Sequence, residues 1–356
     1  MYTHVSVLLN ELVVNLNIKE NGIYVDMTMG GAGHSSEVLK RLKNGHLYCF
    51  DQDEYAIEVG KKRLEEISPN FTIIKSNFVN LKEELNKLGI NKVDGIFYDL
   101  GVSSFQFDIP KRGFSYNNDA PLDMRMDQSK PFSAYDIVNT YKENDLANVF
   151  FKYGEEPFSK NIAKKIIEKR KEKPIETTFE LVDVIKSALP SKVLNQKGHP
   201  AKKVFQALRI AVNDELRVFE SSLYQAIDML NEGGRVVVIS FHSLEDRICK
   251  NIFKEKSTIY IPKGVPIIVK EEPPLKIITK KIILPSEEEI KNNNRAHSAK
   301  MRVAEKNKTS WFWSFFVVFY HFNIKNRLFY YKKLKNWHEI IVFYNTMIYN
   351  FSVWKF

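Results

Sequence analysis

An apolar strand running straight into a cluster of glycines is the feature that most restricts how this chain can fold. The segment reads Tyr24-Val25-Asp26-Met27-Thr28-Met29-Gly30-Gly31-Ala32-Gly33-His34-Ser35. A tight turn between strand and helix brings main-chain N–H groups and a helix N-terminus close to a ligand, and glycine is needed where a Cβ would block that approach. Taken alone, an ordinary glycine-rich βα loop would look the same, because a glycine cluster without its full pattern is a weak signal.

The next segment adds chemistry. Residues 46–51, His-Leu-Tyr-Cys-Phe-Asp, form a second short apolar strand that ends on Asp51, eighteen positions after Gly33. A carboxylate at the tip of the second strand is placed to accept from both hydroxyls of a cofactor ribose, an arrangement also used for NAD. The spacing of Gly30, Gly31 and Gly33 does not fit G-x-G-x-x-G, which points away from a dinucleotide and toward another adenosine cofactor such as S-adenosylmethionine. No G-x-x-x-x-G-K-[ST] occurs, so a P-loop is not expected.

A third strand, 71–74, leads to Asn77 and Phe78, and a fourth, 93–99, ends in Asp99-Leu100-Gly101-Val102. The chain is therefore read as an α/β protein with a parallel sheet. Ligands in such sheets bind in the crevice at the C-terminal strand ends, so Gly33, Asp51, Phe78 and Asp99 should converge. Core packing is the alternative for Phe78, and a helix N-cap the alternative for Asp99.

The strand pattern then stops, and no fifth apolar strand follows until 235–240. The intervening chain reads as helices at 134–139, 143–151, 159–172, 178–188 and 201–230. In the last, Val204, Leu208, Val212, Leu216, Phe219, Leu223, Ile227 and Leu230 recur at spacings of three or four, as one core-facing stripe requires. This predicts a sheet domain from 1–106 and 231–308, with a helical substrate-recognition domain, 107–230, inserted over the strand ends. The helix from Ser159 carries Lys160, Lys164, Lys165, Lys169, Arg170 and Lys171, and Lys197, His199, Lys202 and Lys203 form a second basic cluster. Both are expected phosphate-contact surfaces, against the alternative of a solvated helix face.

Composition bounds the class. The net charge of +10 favours a polyanionic partner without naming one. Only Cys49 and Cys249 are present, which excludes a disulfide framework, and the eight histidines are scattered singly, so no metal is expected. The N-terminus shows no signal pattern, and the expected location is the cytoplasm. His242, after the fifth strand, reads as a structural histidine.

Several words of the sequence resemble one family. They are His4-Val5-Ser6-Val7-Leu8-Leu9, Gly-Gly-Ala-Gly-His-Ser at 30–35, Asp99-Leu100-Gly101-Val102-Ser103-Ser104, Arg112-Gly113-Phe114-Ser115 and Pro121-Leu122-Asp123-Met124-Arg125-Met126. Further on come Tyr153-Gly154-Glu155-Glu156, Phe205-Gln206-Ala207-Leu208-Arg209-Ile210 and Ser240-Phe241-His242-Ser243-Leu244-Glu245-Asp246-Arg247. In this order, from about His4 to about Glu305, they resemble the ribosomal small subunit methyltransferase H family, also called MraW. The one visible departure is His297, where the family pattern has arginine.

The resemblance implies a class I, Rossmann-like methyltransferase sheet with an inserted helical domain. It implies methyl transfer from S-adenosylmethionine to the N4 amine of a cytidine in the decoding region of 16S ribosomal RNA. Carried over by position, the cofactor contacts fall on Ala32, Gly33, His34, Asp51, Phe78, Asp99 and Gln106. Arg112, Asp123 and Arg125 fall at the RNA pocket, or in an internally paired lid, beside the phosphate contacts expected of Lys164 and Lys165. The partner implied is 16S rRNA in the small ribosomal subunit. No stable membrane partner is expected, and the oligomeric state is open, a homodimer included.

A cytosine amine is a poor nucleophile, because its lone pair is delocalised into the ring. Other amino methyltransferases place an Asp/Asn-Pro-Pro-aromatic turn at the fourth strand end, and Asp99-Leu100-Gly101-Val102 lacks the prolines and the aromatic. Asp99, or the carbonyl after it, is the expected amine-orienting catalytic group. A nicotinamide dehydrogenase, and a non-catalytic RNA-binding assembly factor, are the competing readings.

The tail, 309–356, breaks with this pattern. It holds all four tryptophans, eighteen aromatics, six Lys or Arg and a single acid, Glu339. Its apolar run 311–322 is short of the roughly twenty residues that span a bilayer. The expectation is a frameshift or readthrough product standing outside the fold; an aromatic-basic RNA-binding extension and a membrane-surface anchor are the alternatives.

Overall fold

The structure is a computed structural model that describes residues 6–259 and 272–308. The tail at 309–356, and with it the expectation of a frameshift or readthrough product, lies outside the described residues.

Seven strands form one sheet: β1 (Ile23–Asp26), β2 (His46–Asp51), β3 (Phe71–Lys75), β4 (Val93–Asp99), β5 (Leu230–Ser240), β6 (Leu275–Ile277) and β7 (Lys300–Lys306). Their order is β3-β2-β1-β4-β5-β7-β6. The first five pair in parallel, and β7 runs antiparallel to both β5 and β6. The α/β expectation is borne out. The chain leaves β1 toward β2 and β3 and then returns from β3 to the other side of β1 as β4, so a crevice opens at the strand ends where the direction reverses.

Parallel strands covered on both faces read as continuous apolar runs, and the period of two sorts their side chains. Ile96, Tyr98, Val236 and Val238 join one core with Leu81, Leu85, Phe219, Leu223 and Phe253 from helices Leu81–Lys87, Glu215–Met229 and Ser243–Lys256. Phe97, Val237 and Ile239 face the other way. They pack with Leu12, Leu16, Val38 and Leu64 from helices Leu9–Leu16, Gly33–Leu39 and Glu54–Glu65.

Between β4 and β5 a third core gathers Ile137, Phe150, Ile162, Leu181, Ile185 and Leu208. It is built by helices Ala134–Thr140, Glu143–Gly154, Ser159–Arg170, Thr178–Ala188 and Lys202–Asn213.

The stripe read as one helix over 201–230 is two helices, Lys202–Asn213 and Glu215–Met229, broken at Asp214 with φ 52°. Aspartate tolerates the left-handed region better than most side chains, and one such residue redirects the chain. The stripe is continuous because each half needs the same spacing, but the halves serve different cores. Val204, Phe205 and Leu208 fill the insertion, whereas Phe219, Leu223 and Ile227 pack on the sheet. The residues of the stripe that join the insertion's core run to Val212.

Candidate active site

The turn after β1 is held from below by a buried carboxylate. Asp26 accepts the Thr28 N–H at 2.9 Å and the Ser35 hydroxyl at 2.6 Å, tying both ends of the turn to the strand tip. Burial pushes its pKa up to about 6, against the pull of these bonds. Gly30 (φ 49°) and Ala32 (φ 57°) take left-handed conformations, which glycine adopts freely and alanine only at a cost. At Gly33 the reason for glycine differs from the one read in the sequence: an added Cβ would lie 1.9 Å from Ser6 Oγ. Gly33 is thus required by protein packing against the N-terminal segment.

Asp51 closes the turn from the side. Its Oδ2 accepts the Gly30 N–H at 2.8 Å and its Oδ1 the Asp53 N–H at 2.9 Å. Burial raises its pKa to about 6, with main-chain donors opposing. Each carboxylate oxygen has a second lone pair, so two hydroxyls can still be accepted. One strand further on, Asn77 donates to Gln52 Oε1 at 3.1 Å, and Phe78 meets Tyr98 edge to face with ring centroids 5.9 Å apart.

These strand ends border a small cavity that is partly open to solvent. Thr28, Gln52, Asn77, Phe78, Leu100 and Gly101 line it on the sheet side. Met126, Asn213 and Glu215 close it from the insertion and its exit, with Val218, Phe219 and Glu245 completing the wall. Phe78 faces the cavity directly, while Asp51 and Asp99 each precede a lining residue. Strand-end reasoning therefore located the crevice, but it missed Glu215 and Glu245. Glu245 sits inside the Ser-Phe-His-Ser-Leu-Glu-Asp-Arg word, where nothing local sets it apart from a solvated acid.

Asp99 is the least satisfied group in the crevice. Its Oδ1 is buried without a hydrogen-bond partner, and its Oδ2 lies 3.4 Å from His34 Nδ1. Burial, and secondarily the charge of Glu245, raises its pKa to about 7. His34 is buried, with Nε2 2.9 Å from the Val7 carbonyl, and burial lowers its pKa, favouring neutral imidazole.

Behind the cavity wall lies a compact charge cluster. The Arg209 guanidinium forks onto both oxygens of Glu215 at 2.8 Å. Glu245 accepts the Phe241 N–H at 2.8 Å through Oε2, and its Oε1 lies 3.1 Å from His242 Nε2. Burial opposes ionisation of Glu245, but His242 and Arg209 outweigh it and hold its pKa below the ordinary value. Ligand-type atoms of Glu215, His242 and Glu245 lie within 4.8 Å of one another, and Arg209 supplies the counter-charge. His242, read as structural, does cap helix Ser243–Lys256, and it also supports a cavity-wall carboxylate.

Most of the remaining expected residues have protein partners. Gln106 is buried, donating to Asp53 Oδ2 at 3.0 Å and accepting the Ser103 N–H at 3.1 Å. Arg112, expected at the RNA, is 5% exposed; it pairs with Asp53 at 2.7 Å and donates to the carbonyls of Arg125 and Met126. An arginine held this way is a strut between β2 and the following loop. Arg125 pairs with Asp123 at 2.8 Å, the internally paired alternative. Lys164 and Lys165 are exposed, and Lys165 reaches Glu168 at 2.7 Å along its own helix.

Comparison with known proteins agrees with this geometry. The family model described as the MraW methylase family matches residues 1–307. A protein named Ribosomal RNA small subunit methyltransferase H from Exiguobacterium sibiricum is 57% identical over 312 residues, covering 87% of this chain and 100% of the relative. Its namesake from Finegoldia magna is 58% identical over 308 residues, 86% of this chain and 99% of the relative. That from Streptococcus dysgalactiae is 56% identical over 309 residues, 86% and 98% respectively. With the glycine turn, the paired strand-end carboxylates and the sheet order in place, a match of this extent shows that the chain belongs to the MraW methylase family.

Proposed function

We propose that this protein transfers a methyl group from S-adenosylmethionine to the N4 amine of a cytidine in 16S ribosomal RNA of the small subunit. The observation that carries the reading is the identity of 56–58% with relatives of that name over nearly their whole length. The crevice gives it a physical basis. Among the described residues no helix is long and apolar enough to cross a membrane. We place its work in the cytoplasm, where the small subunit is assembled.

The residues at the strand ends suit the cofactor. Asp51 would accept the ribose hydroxyls, Phe78 would offer an apolar ring to the adenine, and the turn through Ala32, Gly33 and His34 would lie against the amino-acid end. Asp99, 26% exposed at the end of β4 and with its Oδ1 unpartnered, suits a site that takes a donor from a bound molecule. Gln106 would act one step removed, by bracing Asp53. The cofactor's contribution is an electrophilic methyl on a sulfonium.

The chain's own residues then have three tasks. Asp99 accepts a hydrogen bond from the substrate amine, which draws its lone pair out of the ring plane. Leu100, Val218 and Phe219 exclude water around it. The rest of the barrier is lowered by holding amine, methyl and sulfur in line, since fixed geometry converts an encounter into an intramolecular step. A base must leave its helix to enter such a cavity. Lys164 and Lys165 are the proposed phosphate contacts, and the Asp123–Arg125 pair a lid over the entrance.

The test is transfer of tritiated methyl from S-adenosylmethionine to small subunits lacking the modification, followed by mapping of the labelled nucleotide. Label at the N4 of one 16S cytidine is expected. Label elsewhere, or none, overturns the reading, and binding of NAD in place of S-adenosylmethionine would restore the dehydrogenase.

A further inference from the structure

An amine that gains a methyl group must lose a proton, and the cavity contains an arrangement suited to receive it. We propose that Asp99 takes the proton released by the substrate amine, and that Glu245 and His34 are positioning residues that enable Asp99 to hold it. This rests on the reading that the acceptor is an exocyclic amine. In the step, the amine lone pair forms the new N–C bond and the sulfur–methyl bond breaks with its electrons remaining on sulfur. The N–H electrons return to nitrogen as the proton passes to the Asp99 carboxylate, whose Oδ2 faces His34 Nδ1.

The geometry supports each part. Asp99 ends β4 directly beside Leu100, which lines the cavity; its side chain is 26% exposed there, and its Oδ1 has no hydrogen-bond partner of its own. On the other side, His34 Nε2 faces the Val7 carbonyl, which can only accept. The ring proton is therefore assigned to Nε2, leaving the Nδ1 lone pair 3.4 Å from Asp99 Oδ2. An imidazole in that state cannot donate to a carboxylate, but it can accept from a carboxylic acid. His34 thus favours the protonated form of Asp99.

Glu245 acts in the same sense through charge. It is 3% exposed, lines the cavity, and is kept ionised by His242 and, more distantly, by Arg209. Its negative charge disfavours a second carboxylate nearby, which is how a like charge raises proton affinity. The remaining charged neighbours do not offset this. Asp26 on β1 is another acid, and the Arg209 guanidinium is forked onto Glu215. An acceptor poised near neutrality is the one best matched to proton transfer at physiological pH.

The experiment is NMR titration of the full-length protein labelled at the aspartate carboxyl carbons, with the Asp99 signal assigned by its absence in Asp99→Asn. A midpoint near pH 7 is expected in the wild type. Glu245→Gln keeps the shape and removes the charge, and should lower the midpoint by roughly 0.5–1 unit. Glu245→Asp withdraws the charge by one methylene and should lower it by less. The acid limb of the methyl-transfer rate should move with the midpoint, while Asp99→Asn loses turnover with cofactor affinity largely kept. An unmoved midpoint in whichever Glu245 variant folds, or wild-type turnover in folded Asp99→Asn, overturns the proposal. If the wild type methylates a cytidine amine and the midpoint stays put, the proposal alone falls. If it methylates no such amine, proposal and reading fall together.

Discussion

The Oδ2 atom of Asp51 accepts the Gly30 N–H across 2.8 Å, so the tip of β2 holds the turn that follows β1. One carboxylate therefore shapes the crevice at the strand ends and has lone pairs left for a ligand. Asp51→Ala should weaken S-adenosylmethionine binding by about 1.5–3 kcal/mol, roughly tenfold or more. Calorimetry reads this directly. Unchanged affinity in a folded variant would remove Asp51 from the cofactor site.

The Arg112–Asp53 pair separates structural from substrate-contact roles. Both side chains are about 95% buried, and among the described residues Arg112 is the cation that pairs with Asp53. Removing one member of a buried pair leaves an uncompensated charge and costs about 3–5 kcal/mol. Arg112→Ala should therefore show a large loss of thermal stability. A variant as stable as wild type but defective only in RNA binding would return Arg112 to the substrate surface.

The exposed lysines of helix Ser159–Arg170 should behave in the opposite way. Lys165 and Lys169 make ion pairs along the helix with Glu168 and Glu172, interactions that add little to stability when solvated. Replacing Lys164, Lys165 and Lys169 with Ala should leave melting nearly unchanged. Affinity for small subunits should fall, with a salt dependence shallower by about 0.7–0.9 log units for each phosphate no longer neutralised. An identical salt slope would mean that the RNA lies on another face.

Asp26 predicts a pH dependence of stability. Its folded pKa of about 6 lies above that of an exposed aspartate, so between roughly pH 4 and 6 the folded state binds more protons than the unfolded chain. Stability from this group is complete below that window and is lost as pH rises through it. Asp26→Asn removes the titration. The stability of wild type relative to Asp26→Asn should drop by about 2–3 kcal/mol from pH 4 to above 6. A difference constant across that range in denaturant unfolding would show that Asp26 does not titrate as its burial requires.

The strands that build the crevice can be read from residue order alone. β2 and β4 are legible to the residue because a buried parallel strand must be a continuous apolar run, and the glycine turn marks where the first one ends. Helix Thr178–Ala188 is equally plain, since apolar spacing and the Thr177 cap are both local signals. The break at Asp214 was not legible: apolar spacing continues across it, and only the two cores, on different bodies of the fold, require the chain to turn. β7 is not legible locally because four of its seven residues are charged, and only its pairing with β5 shows it to be a strand.

The same division runs through the site. Asp51, Phe78 and Asp99 could be placed in one crevice because parallel strands end on the same side of a sheet. Their electrical surroundings could not. That Arg112 lies against Asp53, that His34 turns a lone pair toward Asp99, and that Glu245 borders the same cavity are decided by how helices and loops distant in sequence pack on the sheet. Burial removes the water that would screen these charges, so the proton affinity of Asp99 is a property of the assembled tertiary structure.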